Sequence, residues 1–205
     1  MMKVTAAFGS PRKGNSAFLA ESLLQSLEKR GATATRWHLH KMNYNGCVVC
    51  NACKNGSEDC ILQDDLTPFL ESMKETDVFI LATPIYFFEA SSRVRAMLER
   101  WYSFLLPMYY TGESRETRLP EGKQAVLIVS QGAPEEQYRD FAQRMESSLQ
   151  AFNFKPAHSL RCGLGNDPQA AANNRALIAE VERTAELILE GKEPLTRIAP
   201  YWTGF

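Results

Sequence analysis

Residues 3–31, KVTAAFGSPRKGNSAFLAESLLQSLEKRG, decide the architecture. The opening run to Gly9 is apolar and of strand length. From Asn15 onward Phe18, Leu19, Leu23, Leu24 and Leu27 recur at helical spacing, until Lys29 and Arg30 fill a last turn before Gly31. A buried strand therefore leads through a polar loop into an amphipathic helix. The unit then repeats. TATRWHLH (residues 33–40) alternates Ala34, Arg36 and His38 against Thr35, Trp37 and Leu39 as a second strand, and a helix is expected near residues 64–74. DVFILATP (77–84) is a continuous apolar run of the kind found in a central parallel strand covered on both faces. A helix over about 90–104 follows, then the strand KQAVLIVS (123–130), a helix opening on Pro134, the weaker strand KPAHSLRCG (155–163) and a helix over about 168–189.

Five strands alternating with five helices predict an α/β fold: one doubly wound, five-stranded parallel sheet with helices on both faces, in a single domain spanning residues 1–205. A cysteine-rich loop at about 45–62, an inserted loop at 107–122 and an irregular tail at about 191–205 interrupt the alternation. At 205 residues the chain is long enough for one core and short for two. The formal net charge of -1 gives no footprint for nucleic acid or an anionic membrane. No segment approaches the roughly 20 apolar residues of a membrane span, so a cytoplasmic protein is expected.

Ligands of such sheets bind beyond the carboxyl ends of the strands. The loop GSPRKGNS (9–16) joins the first strand to the N-terminus of a helix, where unpaired N–H groups and the positive dipole end favour a phosphate, and Ser10, Arg12, Asn15 and Ser16 add donors. Its spacing nearly spells a Walker A loop, but Asn15 stands where the phosphate-gripping lysine belongs, which argues against a nucleoside triphosphatase. A monophosphate such as that of FMN fits better. GLGN (163–166) follows the last strand, out of place for a dinucleotide fingerprint. Pro84 is expected to force the chain out of sheet pairing, after which Tyr86, Phe87 and Phe88 place aromatic bulk where a flat ring could lie. The small-residue turn Ser130, Gln131, Gly132 lets backbone approach the same crevice.

The remaining loop, CVVCNACKNGSEDC, holds Cys47, Cys50, Cys53 and Cys60. The spacing C-x2-C-x2-C-x6-C meets the demand of a [4Fe-4S] cube for four thiolates around one centre. Zinc, a disulfide and unligated thiols are the competing readings. Cys162 reads as a small buried residue, and His38, His40 and His158 receive no role.

Taken in order, GSPRKGNS, the cysteine segment with ILQDDL, and TPIYFFEASSRVRAMLERW resemble the NADPH-dependent FMN reductase family of flavodoxin-like proteins, and within it the iron-sulfur flavoproteins. The resemblance implies strand order 2-1-3-4-5 and one FMN per subunit. By that likeness Ser10, Arg12, Asn15 and Ser16 match the phosphate loop, Pro84, Ile85, Tyr86 and Phe87 flank the flavin ring, and Ser130, Gln131 and Gly132 form a third flavin loop. It further implies an oxidoreductase passing electrons from NAD(P)H or a ferredoxin-like donor to quinones or other small acceptors, in a homodimer or homotetramer. The aromatic segments WYSFLLPMYY and YWTGF suit such an interface or a lid. A non-enzymatic redox or metal sensor built on the cysteine loop is the alternative.

Overall fold

The computed structural model describes residues 1–109, 116–163 and 165–196. The segment YWTGF and Tyr110, read above as interface or lid, lie outside the described residues, as does most of the expected tail. The strands are β1 (Lys3–Phe8), β2 (Thr33–His38), β3 (Val78–Tyr86), β4 (Glu89–Ala90), β5 (Gln124–Ser130) and β6 (His158–Cys162). The helices are α1 (Asn15–Lys29), α2 (Thr67–Glu75), α3 (Ser92–Arg100), α4 (Arg139–Ala151) and α5 (Arg175–Leu189). The sheet runs β2-β1-β3-β5-β6, all parallel, with the two-residue β4 folded back on β3. Set β4 aside and this is the expected 2-1-3-4-5 order.

Alternation along each strand sorts its side chains onto two cores. Val4, Ala6, Val78, Ile80, Val126 and Ile128 pack under Leu19, Leu23 and Leu27 of α1 and Val181, Ala185 and Ile188 of α5. Ala7, Phe79, Leu81, Leu127 and Val129 face Phe69 and Met73 of α2, Val94 and Met97 of α3, and Phe141 and Met145 of α4. Each fully buried leucine or phenylalanine contributes about 1.5–3 kcal/mol relative to exposure, so both layers hold the strand ends in register.

Three local expectations change. Pro84 does not leave the sheet: it pairs in register with Ser130, inside β3. The β1 ladder has already ended at Phe8 opposite Ala82, so a missing N–H on that side costs no partner. The chain then turns through Phe87 and Phe88, both at positive φ, and returns with Ala90 opposite Ile85. The last helix begins at Arg175 rather than near Pro168, because Asn174 Oδ1 accepts from the N–H groups of Ala176 and Leu177 and caps it there. The helix expected over about 90–104 is α3 only to Arg100; Trp101–Phe104 tightens into a 3-10 turn.

Candidate functional site

At the carboxyl ends of β1, β3 and β5 the loops enclose a hollow of about 160 Å3. Ser10, Arg12, Asn15 and Ser16 line it from the first loop, Pro84, Ile85 and Tyr86 from the end of β3, and Ser130, Gln131 and Gly132 from the end of β5. The register explains the convergence: Phe8 stands opposite Ala82, and Pro84 opposite Ser130, so the three strands end at nearly one level. Phe87 is the exception among the sequence-derived residues. It does not line the hollow and is 94% exposed at the hairpin tip.

Gly9 makes the first turn possible. A Cβ there would collide with the Val94 side chain and lie 2.9 Å from Ser91 Oγ, while Gly9 N donates to Ala82 O at 2.8 Å and Ser91 Oγ donates to Gly9 O at 2.8 Å. The chain is thereby tied to both β3 and α3 before it enters the loop. No side chain caps the N-terminus of α1, so its first N–H groups face the hollow as an anion site.

Asn15 has a task that sequence reasoning did not assign. Its Nδ2 donates to Asp167 O at 2.8 Å and its Oδ1 accepts from Ala171 N at 3.0 Å. The side chain thus ties the phosphate loop to residues 165–168, a fourth wall of the hollow that includes Asn166 and Asp167. The signal was present in GLGN beyond the last strand; its misfit to a dinucleotide motif hid its place at the strand's carboxyl end. Gly132 lets this wall close, since a Cβ would lie 3.2 Å from Asn166 Oδ1.

Gln131 gives a test of what the hollow suits. Its N donates to Cys162 O at 2.9 Å and its Nε2 to Pro134 O at 2.5 Å, yet its buried Oε1 has no partner. An orphaned buried acceptor calls for a donor on a guest. Flavin carries such an N–H on its ring and a phosphate at the other end, matching the uncapped α1. The residues fit FMN.

The cysteine segment is built differently. Apart from a 3-10 turn at Ala52–Lys54 it has no regular structure, and Val49 and Asn51 lie in the left-handed region at φ 54° and 55°. A β-branched residue there is strained and persists only when its surroundings fix it. Cys47, Cys50, Cys53 and Cys60 line one small hollow with Arg100 and Tyr102. None of the four is in a disulfide. Among the described residues no three ligand side chains are already drawn together as a metal group. Four thiols on one hollow are nevertheless the donor set that a cluster would take, and two of them already accept hydrogen bonds, Cys47 Sγ from Val49 N at 3.4 Å and Cys60 Sγ from Arg100 Nε at 3.1 Å.

Long cations brace this hollow from behind. Arg100, its side chain 0% exposed, donates also to Asp64 Oδ2 at 2.6 Å, Asn45 O at 3.2 Å and Leu62 O at 3.0 Å. Arg118 donates to Cys53 O at 3.1 Å and Leu105 O at 2.9 Å, and Lys54 to Tyr102 O and Leu105 O, each at 2.6 Å. Burial opposes the Arg100 charge, but Asp64 and Cys60 outweigh it and hold its pKa above the usual value. Burial lowers that of Lys54. Gly46 meets α3 so closely that a Cβ would strike the Glu99 carboxylate. Nearby, Tyr44 Oη donates to Arg93 O at 2.6 Å, and burial pushes its phenol up to about 12.

His38 and His40 stand near each other, 6.1 Å between ring centroids, on the far side of the first loop; Cys162 is buried at the end of β6. Among the described residues no helix is long and apolar enough to cross a membrane.

Comparison with known proteins finds relatives by sequence and by fold. Iron-sulfur flavoproteins are similar over part of the chain: one from Archaeoglobus fulgidus is 36% identical over 99 residues, 48% of each protein. Another, from Methanocaldococcus jannaschii, is 34% identical over 100 residues, 48% of this chain and 51% of its own. The chain spans about half the length of the curated relatives it matches. In three dimensions an NAD(P)H:quinone oxidoreductase from Methanothermobacter marburgensis superposes with a TM-score of 0.68 at 18% identity, over 91% of this chain and 98% of that one. An NADH:FMN oxidoreductase superposes with a TM-score of 0.63 at 19% identity, over 99% and 97%. At such identities the likeness is one of fold. The family described as flavodoxin-like fold matches residues 2–184, and the chain belongs to it.

Proposed function

We propose that the chain is an FMN-dependent oxidoreductase that passes electrons from NAD(P)H or a ferredoxin-like donor to quinones or other small acceptors, with a [4Fe-4S] cluster on its cysteine loop. One observation carries the flavin reading: ten of the eleven residues inferred from sequence, all but Phe87, line a single hollow whose buried Gln131 Oε1 lacks a partner. The uncapped start of α1, with Ser10, Arg12 and Ser16, binds the phosphate, while Asn15 holds that loop against residues 165–168. Ile85, Tyr86 and the Ser130–Gly132 turn would orient the ring, and Gln131 Oε1 is the acceptor open to its N–H. FMN held there would supply the redox chemistry, taking up hydride and releasing electrons singly or in pairs. The chain therefore needs no acid or base of its own in the hollow.

Cys47, Cys50, Cys53 and Cys60 hold the cluster, which exchanges one electron at a time. The relatives named iron-sulfur flavoprotein support this half, and the structural neighbours named for quinone and FMN reduction support the reductase half. A cytoplasmic setting keeps the thiols reduced, and an even-numbered homo-oligomer is part of the same reading.

The test is the absorption spectrum of protein purified without oxygen, with iron and acid-labile sulfide assayed on the same sample. Flavin bands with a broad shoulder near ~400 nm and about four irons per chain are expected. Flavin without iron removes the cluster and leaves an NAD(P)H-dependent FMN reductase; no turnover of NADPH or NADH with a quinone removes the reductase. The exposure of Cys50 favours a second reading, a redox or metal sensor. It predicts that oxidation or metal removal changes oligomeric state, and an unchanged gel-filtration profile discards it.

A further inference from the structure

Soluble proteins rarely bury an arginine completely. Arg100 is at 0% side-chain exposure, and only one of its bonds goes to a carboxylate. The others reach two carbonyl oxygens, Asn45 O and Leu62 O, on either side of the cysteine segment, and one reaches a thiol sulfur, Cys60 Sγ. The cations that flank it add to the imbalance: Lys54 and Arg118 bond carbonyl oxygens at this hollow. Among the described residues Asp64 answers one of these charges, and an uncharged set of thiols does not answer the others. Four thiolates around a cluster do, because the assembly is anionic and becomes more so on reduction.

We infer that Arg100 is a positioning residue for the proposed cluster: it fixes Cys60 as a ligand and, through its N–H···S bond and buried charge, makes the cluster easier to reduce. The inference rests on the cluster reading above. Cluster potentials follow net charge, hydrogen bonds to sulfur and solvent exposure, and a buried charge acts with little screening. The step is the gain of one electron from a one-electron donor. Arg100 keeps its proton throughout, since guanidinium does not deprotonate in proteins.

Wild type, Arg100→Lys and Arg118→Gln, each loaded anaerobically with iron and sulfide, would be titrated with dithionite while the cluster spectrum is followed. Lysine keeps the charge and loses the planar fork that reaches sulfur and both carbonyls. The reduction equilibrium is expected to fall about tenfold, a shift of about 59 mV for a one-electron couple. Arg118→Gln, which removes a cation that touches no sulfur, should move it less. An intact cluster at unchanged potential in Arg100→Lys makes Arg100 merely structural and overturns the inference while sparing the cluster. Wild type that takes up no iron overturns both. Should the lysine variant not fold, wild-type protein grown on isotope-labelled arginine decides: magnetic coupling of a guanidinium nitrogen to the reduced cluster supports the inference, and its absence defeats it.

Discussion

The flavin hollow and the cysteine hollow lie in one molecule and are held open by different means. Around the flavin hollow the walls are strand ends and the turns that leave them, levelled by a continuous ladder from β2 to β6. Its hydrogen bonds run largely through backbone, as where Gly9 N meets Ala82 O and Gln131 N meets Cys162 O. Around the cysteine hollow there is no strand ladder beyond a short 3-10 turn, and the side chains of Arg100, Arg118 and Lys54 tie the irregular segment to its neighbours. A site carried by backbone topology should survive the loss of one side chain better than a site carried by three.

The sharpest test is Asp64→Ala. It strips the one carboxylate bonded to a fully buried arginine and removes the acceptor of Leu66 N at the start of α2. Breaking a buried pair from one side costs about 3–5 kcal/mol, which a urea melt of iron-free protein would show. If the cysteines carry an anionic cluster, loading iron should recover part of that loss, because Arg100 regains a counter-charge. An equal loss with and without iron would break the link between the cation set and the cluster.

Gly9→Ala probes the opposite wall. The added methyl group meets Val94 and Ser91, and the backbone oxygen of Ala82 lies 3.2 Å away, so the turn must shift at a cost of about 2–3 kcal/mol. Flavin should be retained poorly after gel filtration, while thiol content and iron loading stay as in wild type. Loss of iron along with flavin would mean the two sites are not separately held.

Asn15→Ala should do less. It leaves Ala171 N without its acceptor inside the protein, an effect of about 1–2 kcal/mol, and frees residues 165–168 from the phosphate loop. FMN affinity, read by fluorescence quenching, is expected to fall while the sheet stays intact. Unchanged affinity would show that the fourth wall plays no part in binding.

How far these regions could be read in advance follows the same division. Strand runs such as DVFILATP carry their burial on their face, and the order of loops then places Ser10, Pro84 and Ser130 together by topology. What the sequence withheld depends on relations between distant residues. That Pro84 stays in the ladder follows from where β1 stops, and that Asn15 bonds across 152 residues to Asp167 has no local mark. The cysteine spacing pointed to the one hollow that the four thiols share; the arginine from α3 that reaches Cys60 had no such mark, because RVRAMLERW has an ordinary amphipathic pattern in which a buried basic residue looks like a surface one. Phe87, read as a ring contact from its aromatic neighbours, sits at a hairpin tip whose existence required the pairing of Ile85 with Ala90.

A buried carboxylate without a cation gives the comparison its scale. Glu146 on α4 is almost wholly buried, and among the described residues its oxygens accept from Ala157 N, both at 3.1 Å, and from Gln150 Nε2 at 2.8 Å. Burial raises its pKa above the ordinary 4.5, against the lowering effect of those donors. Between 4.5 and the raised value the folded state binds more protons than the unfolded one, so stability falls as pH climbs through that window and is level above it. Glutamine does not titrate and can still accept from Ala157 N. Glu146→Gln is therefore expected to gain a little stability at neutral pH, under about 1 kcal/mol, and to lose that advantage as pH falls toward 4.5. Denaturation midpoints at neutral and mildly acid pH would check it. An advantage that grows on acidification would mean that the two amide donors outweigh burial at Glu146, and the contrast with a carboxylate bonded to a buried cation would lose its basis.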